Sequence, residues 1–215
     1  MTTEGATAVR PSPADGPDDS TKRRQIMDGA RAIFLAQGFD AASMGEIARA
    51  AGVSKGTLYV YFENKEELFE AIVHEQCDVQ AEGLFNLDPT NPDVEAVLTK
   101  LGIDFVRFLC QPGKASPLRT VLAIAERMPE IGKKFYETGP ARGIGMLASY
   151  IKTQVDAGLL AVDDCEVAAA QFLDACQSTL FKPVLFNFAP PPPPERIEHV
   201  VRIAVRTFLA AYRVR

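Results

Sequence analysis

The chain has no tryptophan, only two histidines and only four cysteines in 215 residues. The histidines, His74 and His199, lie far apart. The cysteines, Cys77, Cys110, Cys165 and Cys176, form no C-x-x-C pair and have no histidine at ligand spacing. That excludes the common zinc and haem-attachment patterns, so no metal site is expected. The cysteines read as buried thiols of a reducing compartment, with a redox or metal role as the alternative. Long apolar runs are missing too: the longest charge-free segment, 183–194, is short and proline-rich, so no membrane span is expected. The first 19 residues lack the apolar centre of a signal peptide, and a cytoplasmic protein is expected. Positive charge is also in deficit. Lys and Arg number 23 against 28 Asp and Glu, a formal net charge of -5, which at first sight argues against a nucleic-acid partner. Neither histidine has the neighbours a general base needs, so an enzyme is a remote alternative and no cofactor is expected.

What the chain does have is helical periodicity. Ile26, Ala30, Ile33 and Phe34 mark one face of a helix starting near Thr21, and Gly38-Phe39 supplies its stop, a glycine able to turn left-handed with an apolar residue folding back. Similar stripes follow, ending with Ile197, Val200, Val201, Ala204, Val205, Phe208 and Leu209. No stretch alternates strictly, and the fold class reads as all-α. Residues 1–19 carry little apolar pattern and an acidic excess, and are expected to form a disordered tail. Breaks are expected at Met128-Pro129, Gly139-Pro140, Gly158 and the run Pro190 to Pro194. That last run reads as a stiff spacer between two apolar helices, or alternatively as a ligand for a proline-reading module.

Residues 43–62 read SMGEIARAAGVSKGTLYVYF. Ser43 with Glu46 three residues on is a capping box that opens a short helix burying Ile47 and Ala48. Ala51-Gly52 provides a close approach and a sharp turn, Val53 plugs it, Ser54 caps the next helix, and Leu58 and Phe62 face the core. Two short helices on a tight glycine turn form a helix-turn-helix. The outward face of the second helix carries Lys55, Gly56, Thr57, Tyr59, Val60 and Tyr61. A slim end with hydroxyls and a cation suits phosphates, and flat or methyl-bearing side chains suit base edges. The alternative is an ordinary helix corner, on which two exposed tyrosines flanking a valine would be costly.

Charge resolved along the chain supports the first reading. Residues 21–65 hold seven cations and four anions, net +3, while 1–20 hold -3 and 66–215 hold -5. The acidity lies outside the candidate reader.

The run from Ile26 through Phe34, Gly38-Phe39, Ile47-Ala48, Ala51 to Tyr59, Tyr61-Phe62, Asn64-Lys65 and Glu67-Leu68 resembles the DNA-binding domain of TetR-type transcriptional regulators. Residues from Ala125-Glu126-Arg127 and Pro129-Glu130 through Phe135-Tyr136 and Gly139-Pro140 to Ala168-Ala169 look like the C-terminal domain of the AefR-like branch. The resemblance implies a homodimer of nine- or ten-helix subunits, each with a three-helix reader over residues 20–80 and a helical ligand-binding and dimerisation domain over 81–215. It implies that Lys55, Thr57, Tyr59 and Tyr61 touch phosphates or bases, that Ser43 anchors the backbone and that Lys65 clamps a phosphate. The expected interface with double-stranded operator DNA is therefore Ser43, Ser54, Lys55, Gly56, Thr57, Tyr59, Val60, Tyr61 and Lys65. Gly45 and Val60 depart from the family's commoner polar or aromatic residues, so the Val60 methyls against thymine and DNA shape are expected to share the readout. A pocket for an apolar or aromatic effector is expected from Phe105, Phe108, Phe135, Tyr136, Tyr150 and Phe172. A dimer interface is expected from Val167, Gln171, Leu180, Val201, Val205 and Phe208. A ligand-released repressor is the leading expectation, and a regulator that binds DNA without an effector, or an activator, is the alternative.

Overall fold

The computed structural model describes residues 17–112 and 115–214, excluding the side chains of 17, 18, 76–82, 115 and 116. The expected tail up to residue 16, and the Cys77 side chain, lie outside the described residues. Eleven α-helices and one π turn are present among them: α1 Pro17–Gln37, α2 Met44–Ala50, α3 Lys55–Tyr61, α4 Lys65–Leu84, α5 Val94–Leu109, α6 Ala115–Ile124, α7 Pro129–Tyr136, the π turn Glu137–Ala141, α8 Arg142–Asp156, α9 Cys165–Gln177, α10 Phe181–Leu185 and α11 Pro194–Tyr212. The protein is all-α, with more helices than the resemblance implied, and divides into two compact units, Met1–Phe69 and Glu70–Arg215. The division falls within α4 rather than near residue 80, because one helix continues past the end of the reader motif.

Helix α1 begins at Pro17, ahead of the start expected near Thr21. A proline costs least in the first helical turn, where its missing N–H has no intrahelical partner, and Asp19 favours the positive end of the helix. The apolar stripe begins only at Ile26, so periodicity could not locate that first turn. At the other end Gly38 takes φ +81, its N–H donates to the Phe34 carbonyl at 3.0 Å, and Phe39 folds back. Phe34, Phe39 and Phe69 then form a ring cluster with centroids 5.2 to 5.5 Å apart. With Ile26, Met27, Ala30, Leu58, Phe62 and Leu68, all buried, they make the core of the first unit.

The second unit packs α5 and α9 against α11, and α8 against α9. Gly102 marks the tightest approach: a Cβ there would lie 2.7 Å from Val201 and 3.0 Å from the Cys176 sulfur. One expected break turns out otherwise. Pro140 does not end a helix but sits inside the π turn that joins α7 to α8; the widened turn locally interrupts the regular hydrogen-bond ladder, where a residue lacking N–H costs less. The breaks expected at Met128-Pro129 and at the proline run are present, between α6 and α7 and between α10 and α11, with Pro129 and Pro194 as the first residues of the helices that follow. Between α9 and α11, the Arg119 guanidinium of α6 donates to the Leu185 and Val184 carbonyls at 2.6 and 2.9 Å and to Asn187 Oδ1 at 2.7 Å. That fixes the end of α10 and the left-handed Asn187 (φ +54), beside which Phe186 and Phe188 are 76% and 86% exposed. Among the described residues no helix is long and apolar enough to cross a membrane.

Candidate nucleic-acid interface

The turn between α2 and α3 is built almost wholly from local chemistry. Ser43 caps α2, its Oγ accepting from the Glu46 N–H at 3.3 Å, while Glu46 Oε2 accepts from the Ser43 N–H at 3.1 Å and from its hydroxyl at 2.6 Å. Those two donors, hydroxyl first, hold the Glu46 carboxyl below the usual carboxylate range. Gly52 takes φ +64, and the Val53 N–H reaches back to the Ala48 carbonyl at 3.0 Å. Ser54 caps α3 through the Thr57 N–H at 3.0 Å and pairs with the Thr57 hydroxyl at 2.8 Å.

Two features fix this corner to α1; the close approach at Ala51 is expected from the sequence, but sequence reasoning found neither of its partners on α1. Gln25 Nε2 donates to the Ala51 carbonyl at 2.7 Å. Gly29 lies so close that a Cβ there would stand 2.6 Å from the Ala51 nitrogen. The i, i+4 pattern of α1 hides both, since a glutamine and a glycine score as no part of an apolar face.

The expected outward face of α3 is exposed at four of its six positions, Thr57 and Tyr61 being half-buried. Leu58 is fully buried, while Lys55, Gly56, Tyr59 and Val60 are exposed, Tyr59 by 51% and Val60 by 68%. Ser43 and Ser54 are exposed and Thr57 is half-buried at the edge. The face thus offers a cation, hydroxyls, a phenol ring and two methyls on one short, rigid element.

Two expected contact residues are engaged inside the chain. The Tyr61 hydroxyl donates to the Asp19 carboxylate in the first turn of α1, and its ring is half-buried. The Lys65 ammonium donates to the carbonyls of Phe39, Asp40 and Ala42 at 3.0, 3.1 and 3.3 Å and lies 4.7 Å from the centre of the Phe39 ring. Its three donors are therefore matched by three loop carbonyls, so within the chain it staples the α1–α2 connection. Arg23 lies over the Phe62 ring at 5.0 Å and Arg31 pairs with Asp28 at 2.8 Å. Of the local cations, Arg23, Arg24, Arg49 and Lys55 are exposed.

In the second unit the expected pocket residues differ in burial. Tyr150 and Phe172 are 3% and 2% exposed and belong to the core, Phe172 edge-on to Phe208 with centroids 5.6 Å apart. Tyr136 is 57% exposed. Phe105, edge-on to Phe85, Phe108 and Phe135 are half-buried. Aromatics at helical spacing fill the core before they line a cavity. The expected interface splits likewise: Leu180, Val201, Val205 and Phe208 are buried within the chain itself, so they are core and not a free surface, whereas Val167 and Gln171 on α9 are exposed. Ile203, on the outer side of α11, is 42% exposed. An open groove of about 500 Å³ runs between α5 and α11, with Val205 and Leu209 as floor and Arg202, Arg206 and Arg213 on its rim.

The family comparisons agree with this architecture. Residues 26–72 match the model for bacterial regulatory proteins of the tetR family. Residues 96–214 match the AefR-like transcriptional repressor C-terminal domain. A TetR-family transcriptional regulator from Mesorhizobium loti is 29% identical, aligned over 93% of this chain and 100% of that one with a TM-score of 0.85. The flavonoid-responsive regulator FrrA is 29% identical over 91% and 99% of the two chains, TM-score 0.78. Among curated relatives, the transcriptional repressor Rv1474c of Mycobacterium tuberculosis is 37% identical over 29% of this chain, and the regulator AcrR of Shigella flexneri 46% over 23%. Those matches span only 33% and 23% of the relatives' own lengths. With its reader and its C-terminal domain both matched, the chain belongs to the TetR family of transcriptional regulators, with an AefR-like C-terminal domain.

Proposed function

We propose that the protein is a dimeric repressor that reads a pseudo-palindromic operator through α3 and is released by a small apolar or aromatic effector. The observation that carries the reading is the face of α3, where Tyr59 and Val60 stand exposed beside Lys55 on a helix whose other side is locked into the core by Leu58. Phosphate positioning falls to Lys55, Ser43 and Ser54, and base contact to Tyr59 and Val60. Tyr61 and Lys65 act one step back: the first ties α1 to α3, and the second shapes the loop before α2. In a two-fold dimer the two readers meet successive major-groove turns about 34 Å apart.

The dimer face is assigned to the exposed sides of α9 and α11 around Val167 and Ile203, large apolar side chains those helices leave uncovered, with the exposed Gln171 beside Val167 on α9. The effector class is supported by the likeness to a flavonoid-responsive regulator and by the half-buried aromatics Phe105, Phe108 and Phe135. An effector that prefers a conformer with the readers out of register lowers operator affinity by linkage. Selection of bound sites from random duplex DNA tests the reading: an inverted repeat is the expected product, and recovery of no enriched sequence overturns it. A thermal-shift screen of aromatic compounds, flavonoids included, tests the effector, with stabilisation and loss of operator binding expected together.

A further inference from the structure

Gly45 follows the first residue of α2, where a side chain able to reach DNA would be an asset, yet it has none. The structure supplies a reason. A Cβ at Gly45 would lie 2.9 Å from Lys55 Cε and 3.2 Å from Lys55 Nζ. The space a side chain would fill is already occupied by the end of the Lys55 side chain from the next helix. The same point is 4.0 Å from Ser43 Oγ, so the ammonium of α3 and the cap hydroxyl of α2 converge on one small gap.

We infer that Gly45 is a positioning residue for Lys55: its missing side chain is the cradle that brings the α3 ammonium across to the front of α2, where it meets a DNA phosphate beside Ser43. This rests on the proposed DNA-reading face and adds a reason for a residue that touches neither base nor phosphate. A lysine at the first position of α3 would otherwise sample many rotamers in water, and ordering it on binding costs side-chain entropy. Resting its stem on Gly45 confines it beforehand and lets one cation serve both helices of the motif. Any side chain at position 45 evicts the ammonium. The eviction leaves the fold intact, because the clashing atoms are the far end of a flexible chain and alanine favours a helix over glycine.

The test is a cycle of Gly45→Ala, Lys55→Ala and the double variant in the full chain, measured by fluorescence anisotropy on a labelled duplex carrying the selected inverted repeat, across a salt series. Lys55→Ala is expected to weaken binding about fivefold per reader at 0.15 M salt and to flatten the log–log salt slope by about 0.9 per reader, the release of one counterion. Gly45→Ala is expected to reproduce most of both changes without lowering Tm, and the double variant to bind no worse than Lys55→Ala alone. Wild-type affinity and slope in Gly45→Ala, with Lys55→Ala weakened, overturns the inference and leaves the reading face standing. Additive losses in the double variant also overturn it. Wild-type behaviour of Lys55→Ala overturns the docking face and the inference together. If Gly45→Ala proves unstable, restoration of its Tm by adding Lys55→Ala supports the cradle, and no restoration overturns it.

Discussion

Replacing Lys65 by methionine separates a staple from a clamp. Methionine keeps the apolar stem and removes the ammonium that donates to the carbonyls of Phe39, Asp40 and Ala42. Asp40 is exposed, and water takes over its carbonyl. Phe39 and Ala42 are buried residues, and their carbonyls lose a charged partner worth about 1 to 1.5 kcal/mol each net of hydration. The cation over the Phe39 ring, at 4.7 Å, adds about 0.5 kcal/mol at a half-exposed site. The expected destabilisation of the first unit is therefore about 3 kcal/mol. With a urea slope of about 2 kcal/mol/M, that moves its midpoint down by about 1.5 M. Urea titration followed by far-UV circular dichroism reads the midpoint. Amide exchange reads its location, the loss of protection being centred on the α1–α2 loop. An unchanged midpoint, with a salt slope for operator binding flattened as by the loss of one phosphate contact, refutes the staple and restores Lys65 to the phosphate.

Other perturbations address other contacts. Gly29→Ala places a methyl 2.6 to 2.7 Å from the Ala51 backbone, and is expected to cost about 2 kcal/mol or more by overpacking and to lower operator affinity by displacing the α2–α3 corner; a wild-type Tm counts against the close approach. Tyr59→Ala and Val60→Ala are expected to leave Tm within a degree or two, because both side chains face water, and to relax base preference when the site selection is repeated. Burial pushes the Cys176 thiol up to about 12 and raises that of Cys110. Native-state alkylation followed by mass spectrometry is expected to modify the half-buried Cys165 well before either. In the unfolded chain the same thiols ionise near pH 9 while in the folded chain they stay protonated, so stability falls as pH rises above 9.

The reader was legible because its chemistry is local. Ser43 and Glu46, Ala51-Gly52, Ser54 and Thr57 lie within three residues of their partners, and the rules that link them are rules of spacing. The same holds for the Gly38-Phe39 stop. What sequence reasoning missed acts across the chain: Gln25 on Ala51, Lys65 on the loop before α2, and Arg119 on α10 join positions 23 to 66 residues apart. No periodicity marks such pairs, because each involves a polar side chain meeting a backbone carbonyl. Lys65 illustrates the consequence. A lysine next to a DNA reader invites a phosphate, and only the positions of three carbonyls show its donors matched within the chain. Proline misled once, at Pro140, where a π turn absorbs it; at Pro129 and Pro194 the breaks stand as expected, each proline opening the next helix. Apolar stripes located the late helices, but a stripe cannot tell a buried position from an exposed one; Val201 and Val205 are buried and Val167 is exposed.

The turn at Asn187 has an optical consequence. Phe188 stands 86% exposed on a backbone fixed by Arg119, in a chain without a single tryptophan. Phe188→Trp would install one indole, fully wet and held by its perch, whose emission starts at the red limit. Any surface that covers the turn shifts that emission to the blue, and slower tumbling raises its anisotropy, so one side chain would report cover and size in the same cuvette, with no dye attached.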